Sequence, residues 1–265
     1  MDSLTAFTDR SEFARAAALL DRLGIEYSVI SPDPAYARVG CPAIALDQEA
    51  RTTFLAGAGA DIVSAGWVDF RPPAQGVADN PPRDFSEDIV GRAAIVVLAP
   101  CVADLDRLRL TAHLSGDVAE ALPYVNAELV KGSYVAKLPV ITFMDGHRMV
   151  SLFRDRVAVA KADDIVDAWA SLERLRCLVN DVWSRRGEIT ASFKLHRRPP
   201  ALEIYKRLPG TNCKKCGEPS CTAFAWAVWR GEVEVQMCLP VFDGERGDLR
   251  GALLSICSGL GLTNG

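Results

Sequence analysis

The stretch LPGTNCKKCGEPSCTAFAWAVWRGEVEVQMCLP, residues 208–240, decides how this chain is read. It places Cys213, Cys216, Cys221 and Cys238 at the spacing C-x2-C-x4-C-x16-C. A cubane cluster needs four thiolates, one for each iron, and three closely spaced cysteines in a loop can wrap three of its corners. A distant fourth closes the site. Gly217 and Pro219 give the tight, irregular backbone that wrapping requires. Cys221 opens a predicted helix running from Thr222 to about Arg230, with Gly231 as its stop. A thiolate at a helix N-terminus is favoured by the dipole, by roughly 0.3–1 kcal/mol. Phe224 and the aliphatic face of that helix are expected to pack against the preceding domain, and the chain then returns through EVEVQM to deliver Cys238. The competing reading is a structural zinc site. Four-cysteine zinc sites usually bring two C-x2-C knuckles roughly 15–20 residues apart, whereas this stretch has one knuckle, a third cysteine and a lone fourth. Cys213, Cys216, Cys221 and Cys238 are the expected cofactor and metal ligands.

Outward from the motif, its surroundings are basic. Residues 191–240 hold eight lysines and arginines against four glutamates, while the whole chain of 265 residues carries a net charge of −4. Ordinary solvated charge explains this; so does a docking face for an acidic electron donor, through field steering. The other cysteines, Cys41, Cys101, Cys177 and Cys257, are scattered. Cys41 lies in a loop with only Arg38 near it in sequence, and Cys101, Cys177 and Cys257 read as core. His113, His147 and His196 stand apart, with no metal-ligand spacing and no adjacent nucleophile. Trp226 and Trp229 could screen the metal centre or simply be core.

The motif also resembles a known family. Leu208-Pro209, Thr211-Asn212-Cys213, Cys216-Gly217, Pro219, Cys221, Ala223-Phe224-Ala225, Gly231 and Cys238 are similar to the 4Fe–4S domain of the corrinoid iron–sulfur protein large subunit. The same module occurs in the complex that couples ferredoxin to NAD. The likeness covers about 35 residues of the C-terminal part only, with one departure: Leu239 stands between the last cysteine and Pro240. It implies a low-potential one-electron carrier. The rest of that family is missing. No D-x-H-x-x-G corrinoid motif appears, since Asp145-Gly146-His147 has the wrong spacing.

The remainder reads as α/β. Residues 1–70 suggest a small α/β domain: a strand near Leu4–Thr8, a helix capped by Ser11 with an apolar face of Phe13, Ala16, Ala17, Leu20 and Leu23, strands in EYSVIS and PAIAL, and a helix from Asp47 to Ala60. That order suggests a ferredoxin-like or related two-layer sandwich. Residues 71–84, RPPAQGVADNPPRD, with four prolines, read as a linker or long surface loop. Residues 85–190 read as a second α/β region. AAIVVLAP suits a buried strand, LPVITFM and MVSLF a hairpin around Asp145-Gly146-His147-Arg148, RVAVAK a strand, and Ile165 to about Arg185 a long helix capped by Asp163 or Asp164. Residues 191–265 hold the cluster domain.

The balance of charge argues against nucleic acid as the main partner. No apolar run approaches the roughly 18 residues of a membrane span. The N-terminus, MDSLTAFTDRSEF, shows no export pattern, so a cytoplasmic location is expected. No phosphate-binding glycine loop is present. The expected role is one-electron transfer to a partner enzyme or metalloprotein, with a ferredoxin-like donor or an acceptor enzyme as partner. Two alternatives stand beside it. One is a redox-enzyme subunit with its active site in residues 85–190, near His113, Asn126, Tyr134 or His147. The other is an oxygen- or iron-sensing module with a structural cluster.

Overall fold

The computed structural model describes residues 2–129, 132–194 and 200–259. The chain forms two compact units: residues 1–128 with 134–193, and residues 129–133 with 194–265. His196, Arg197 and Arg198 of the basic run lie outside the described residues.

The first unit opens with β1 (Ser3–Phe7), α1 (Arg10–Leu23), β2 (Ser28–Ile30), β3 (Ala43–Leu46), α2 (Gln48–Ala56) and β4 (Ser64–Asp69). These strands form an antiparallel sheet in the order β2-β3-β1-β4. Its βαββαβ order is the ferredoxin-like arrangement. Asp9, not Ser11, caps α1, because its carboxylate accepts the amide N–H groups of Ser11 and Glu12. The buried face of α1 is Ala16, Leu19 and Leu20, while Leu23 is exposed. These side chains share one core with Phe7, Ile44, Leu46 and Phe54. The second helix stops at Ala56, and a 3-10 turn follows over Ala58–Asp61.

The irregular residues 71–84 belong to this same unit. They and the next few residues are fastened to a long helix, α4 (Ile165–Ser184), which Asp164 caps. The fully buried Arg176 of α4 reaches Asp88 at 2.5 Å and Glu173 at 2.8 Å, and donates to the Arg83 carbonyl. Asn180 accepts the Ile89 N–H and donates to Asp88.

A six-stranded sheet completes the unit, in the order β5-β6-β10-β9-β8-β7. Its strands are β5 (Ala93–Cys101), β6 (Asp104–Leu114), β7 (Ser133–Val135), β8 (Val140–Asp145), β9 (Arg148–Phe153) and β10 (Arg156–Ala162). Between β6 and β7 lies α3 (Leu122–Glu128). The expected hairpin is present, with Asp145 paired to Arg148 across Gly146 and His147. The AAIVVLAP run is not buried throughout. It forms the edge strand β5, and Val97 is exposed, because only one face of an edge antiparallel strand needs covering. β6, the longest strand, alternates buried Leu108, Leu110, Ala112 and Leu114 with outward-facing residues. The same period of two is written in the sequence of this strand, DLDRLRLTAHL.

The second unit is helical: α5 (Ala201–Tyr205), α6 (Cys221–Arg230), α7 (Leu239–Phe242) and α8 (Arg250–Gly259). Its core joins Ile204, Leu208, Phe224, Val228, Val241 and Leu253. Phe224 therefore packs within its own unit, since the surrounding short helices already supply it with apolar partners. Each such fully buried large side chain contributes about 1.5–3 kcal/mol.

Candidate metal centre

The loop before α6 folds back on itself through left-handed residues. Gly210, Asn212, Lys214 and Gly217 have φ values of 71°, 51°, 61° and 86°. Asparagine tolerates this region, but a lysine there costs on the order of 1–2 kcal/mol, so the surrounding structure must hold it. The result is a turn that brings Cys213 and Cys216 round towards the start of α6, where backbone N–H groups can converge on an anion.

Asn212 ties the loop to that helix: its side-chain oxygen accepts the Cys221 N–H at 2.8 Å. Ser220 caps α6 by accepting the Ala223 N–H at 3.1 Å. Cys221 thus sits in the first turn, as expected, with the positive end of the helix beside it. After Gly231 ends α6, a 3-10 turn over Val235–Met237 carries the chain to Cys238 at the start of α7.

All four cysteines line one pocket of about 300 Å³, part of it open to solvent. Phe224 and Pro240 line it with them. All are free thiols. Their exposure is uneven. Cys213 is exposed and Cys216 is half-buried, whereas Cys221 and Cys238 are 9% and 5% exposed and belong to the apolar core. The Lys215 amide and the Thr211 hydroxyl hydrogen-bond the Cys213 sulfur and hold its thiol below the usual range. Burial first, and then the negative charge of the other three sulfurs, push Cys238 up to about 11. Among the described residues, however, no three His, Cys, Asp or Glu side chains are gathered tightly enough for a single metal ion. The donor set is sulfur only, half sheltered and half wet, and it fits an iron–sulfur group.

Residues 208–240 match the family described as "Putative Fe-S cluster". This segment is an Fe–S domain. Curated proteins similar to it include the acetyl-CoA decarbonylase/synthase complex subunit gamma of Methanocaldococcus jannaschii, 55% identical over 38 residues, or 14% of this chain and 8% of that protein. The corrinoid/iron-sulfur protein large subunit of Moorella thermoacetica is 47% identical over 45 residues, 17% of this chain and 10% of that one. A component of the ion-translocating oxidoreductase complex of Rhodobacter capsulatus is 41% identical over 54 residues, 20% of this chain and 29% of that one. The chain therefore spans less than a third of each of these relatives. No solved structure gives a significant match. No helix among the described residues is long and apolar enough to cross a membrane.

Among the described residues, none of the other sequence candidates lines this pocket. Cys41 is half-buried and pushed up to about 11 by burial, which suppresses a reactive thiolate. Cys101 is buried at the end of β5, Cys257 is buried and likewise pushed up to about 11, and Cys177 is raised by burial and lies 3.7 Å from Glu173. His113 pairs in register with Arg156 at one end of β10. His147 neighbours Asp163 just past the other end, 3.4 Å away. The two histidines are therefore separated by roughly 20 Å of strand. Asn126 donates to the Ser192 carbonyl, and Tyr134 is buried in β7. Trp226 is exposed and stacks edge-on against the partly buried Trp229, and neither lines the pocket, where Phe224 does the shielding. Sequence reasoning assigned no role to Asn212 or Thr211. The signal for Asn212 was its type, the non-glycine residue most at ease with positive φ, in a loop already rich in turn residues.

Proposed function

We propose that Cys213, Cys216, Cys221 and Cys238 ligate one 4Fe–4S cluster, and that the chain carries single electrons to or from a protein partner. The observation that supports this is the convergence of all four motif sulfurs on one pocket with an apolar inner wall and a wet outer edge. A cubane supplies a one-electron couple when bound, with thiolates at its four corners. Four-cysteine zinc sites usually bring two C-x2-C knuckles, whereas this chain supplies one knuckle, a third cysteine and a distant fourth. Cys221 and Cys238 anchor the sheltered side, Asn212 holds the loop against α6, and the Lys215 amide and Thr211 hydroxyl stabilise the Cys213 thiolate. By their names the relatives above are subunits of larger assemblies, one of them an oxidoreductase complex, which favours a protein partner here.

Anaerobic purification with iron and sulfide analysis, then EPR after dithionite reduction, tests the assignment. The expected result is about four irons per chain and a reduced-cubane signal. Serine in place of any one of the four cysteines is expected to lower iron content, while C41S leaves it unchanged. A colourless protein with one zinc ion overturns the proposal.

A further inference from the structure

We propose that the exposed Cys213 corner, flanked by Lys214 and Lys215, is the docking face for a small acidic redox protein, and that the electron crosses there. This rests on the reading of the four cysteines as cluster ligands. Three observations carry it.

The first is the asymmetry of shielding. Cys221 and Cys238 are walled in by Phe224, Val241 and Leu253, whereas Cys213 is exposed and Cys216 half-exposed. A partner can come closest at that corner. The second is charge. Lys206 and Arg207 are spent on Glu203, Arg230 on Glu232 and Arg246 on Asp248; among the described residues Lys214 and Lys215 form no such pair. They are the two residues between the exposed ligands, and both are exposed. The left-handed backbone at Lys214 fixes where they emerge, and Lys214 itself lines the pocket. The third is the apolar rim. Met237 and Leu239, on either side of Cys238, are 44% and 43% exposed. Exposed apolar side chains flanking one ligand of the pocket and two unpaired cations between two others suit a weak redox encounter below about 1,200 Å², steered by charge. The occupant is therefore acidic. In the encounter the reduced partner is oxidised by one electron and the cluster is reduced by one; no bond is made or broken.

The test is stopped-flow reduction of the full-length holoprotein by a reduced acidic 2Fe–2S ferredoxin, under anaerobic conditions. The second-order rate constant is expected to fall about tenfold or more as salt rises from roughly 0.05 to 0.5 M. The double variant K214E/K215E is expected to be about tenfold slower at low salt and nearly salt-independent, with K214R/K215R retaining the wild-type rate. Redox titration of each variant separates a change of potential from a change of docking. A cationic viologen radical, which needs no basic docking face, is expected to reduce K214E/K215E at least as fast as wild type. If the charge-reversed variant loads iron poorly, K214Q/K215Q replaces it. A cluster-loaded variant that reacts with ferredoxin at the wild-type rate overturns the docking face while leaving the cluster intact; a wild-type chain without a cubane signal overturns the cluster assignment instead.

Discussion

The side-chain oxygen of Asn212 accepts the amide N–H of Cys221 at 2.8 Å, bridging the ligand loop to the first turn of α6. One residue thus sets two things: a left-handed turn at φ 51° and the distance between the Cys213–Cys216 knuckle and the helix that holds the third sulfur.

Replacing it separates these roles. N212A loses both the acceptor and the ease of positive φ, and is expected to cost about 1–2 kcal/mol locally. N212G keeps the turn and loses only the bond, and N212D keeps the acceptor. Under anaerobic chelator challenge the expected rates of iron loss rank N212A fastest, then N212G, then N212D near wild type. Equal rates for N212A and wild type would remove the tether from the account.

Arg176 lies fully buried between Asp88 and Glu173. R176M leaves two sheltered carboxylates without their cation, and an expected loss of about 3–5 kcal/mol follows. Urea denaturation followed by far-UV circular dichroism measures it. Burial pushes Asp88 up, but the Gly91 N–H, the Asn180 amide and the Arg176 guanidinium outweigh this and hold its carboxyl below the usual range. A depressed carboxyl stabilises the fold above its unfolded value of about 3.9 and loses that contribution as pH falls through the folded value. The wild-type unit is therefore expected to weaken below about pH 4, and D88N to weaken less steeply there.

Gly66 of β4 lies at φ 119°, and a Cβ there would sit 2.5 Å from the Leu98 carbonyl oxygen of β5. Backbone cannot swing aside as a side-chain tip can. G66A is expected to cost about 3 kcal/mol, combining overpacking with an unfavourable backbone angle. A thermal midpoint within 1–2 °C of wild type would contradict this.

His147 is held below the usual histidine range, first by burial and then by the positive charges of Arg148 and Arg107, with Asp167 opposing. The unfolded chain takes up this proton near pH 6.5 and the folded chain resists it. Stability is therefore complete above that pH and declines as pH falls towards the folded value. The group is partly exposed, so the effect is under about 1 kcal/mol. H147Q is expected to flatten the change in denaturation midpoint between pH 7 and pH 5.5; parallel losses in both proteins would rule this out.

The sequence by itself determined the local elements whose signals are short-range. Gly231 ended α6 where a left-handed residue was needed. Asp145-Gly146 made a hairpin, and the cysteine spacing marked the ligand loop. Only the tertiary structure decided what depends on neighbours distant in sequence. Whether AAIVVLAP lay inside a sheet or at its edge turned on which strands paired with β5. The composition of residues 71–84 specifies an irregular segment, but its anchorage depends on Arg83, Asp164 and α4, with partners up to 98 positions apart in sequence. At the Fe–S domain, spacing named the four sulfurs, but which corner met solvent depended on how Phe224, Val241 and Leu253 closed over Cys221 and Cys238. Burial is a property of packed surfaces, and a linear pattern of residues specifies it only after the chain has chosen its partners.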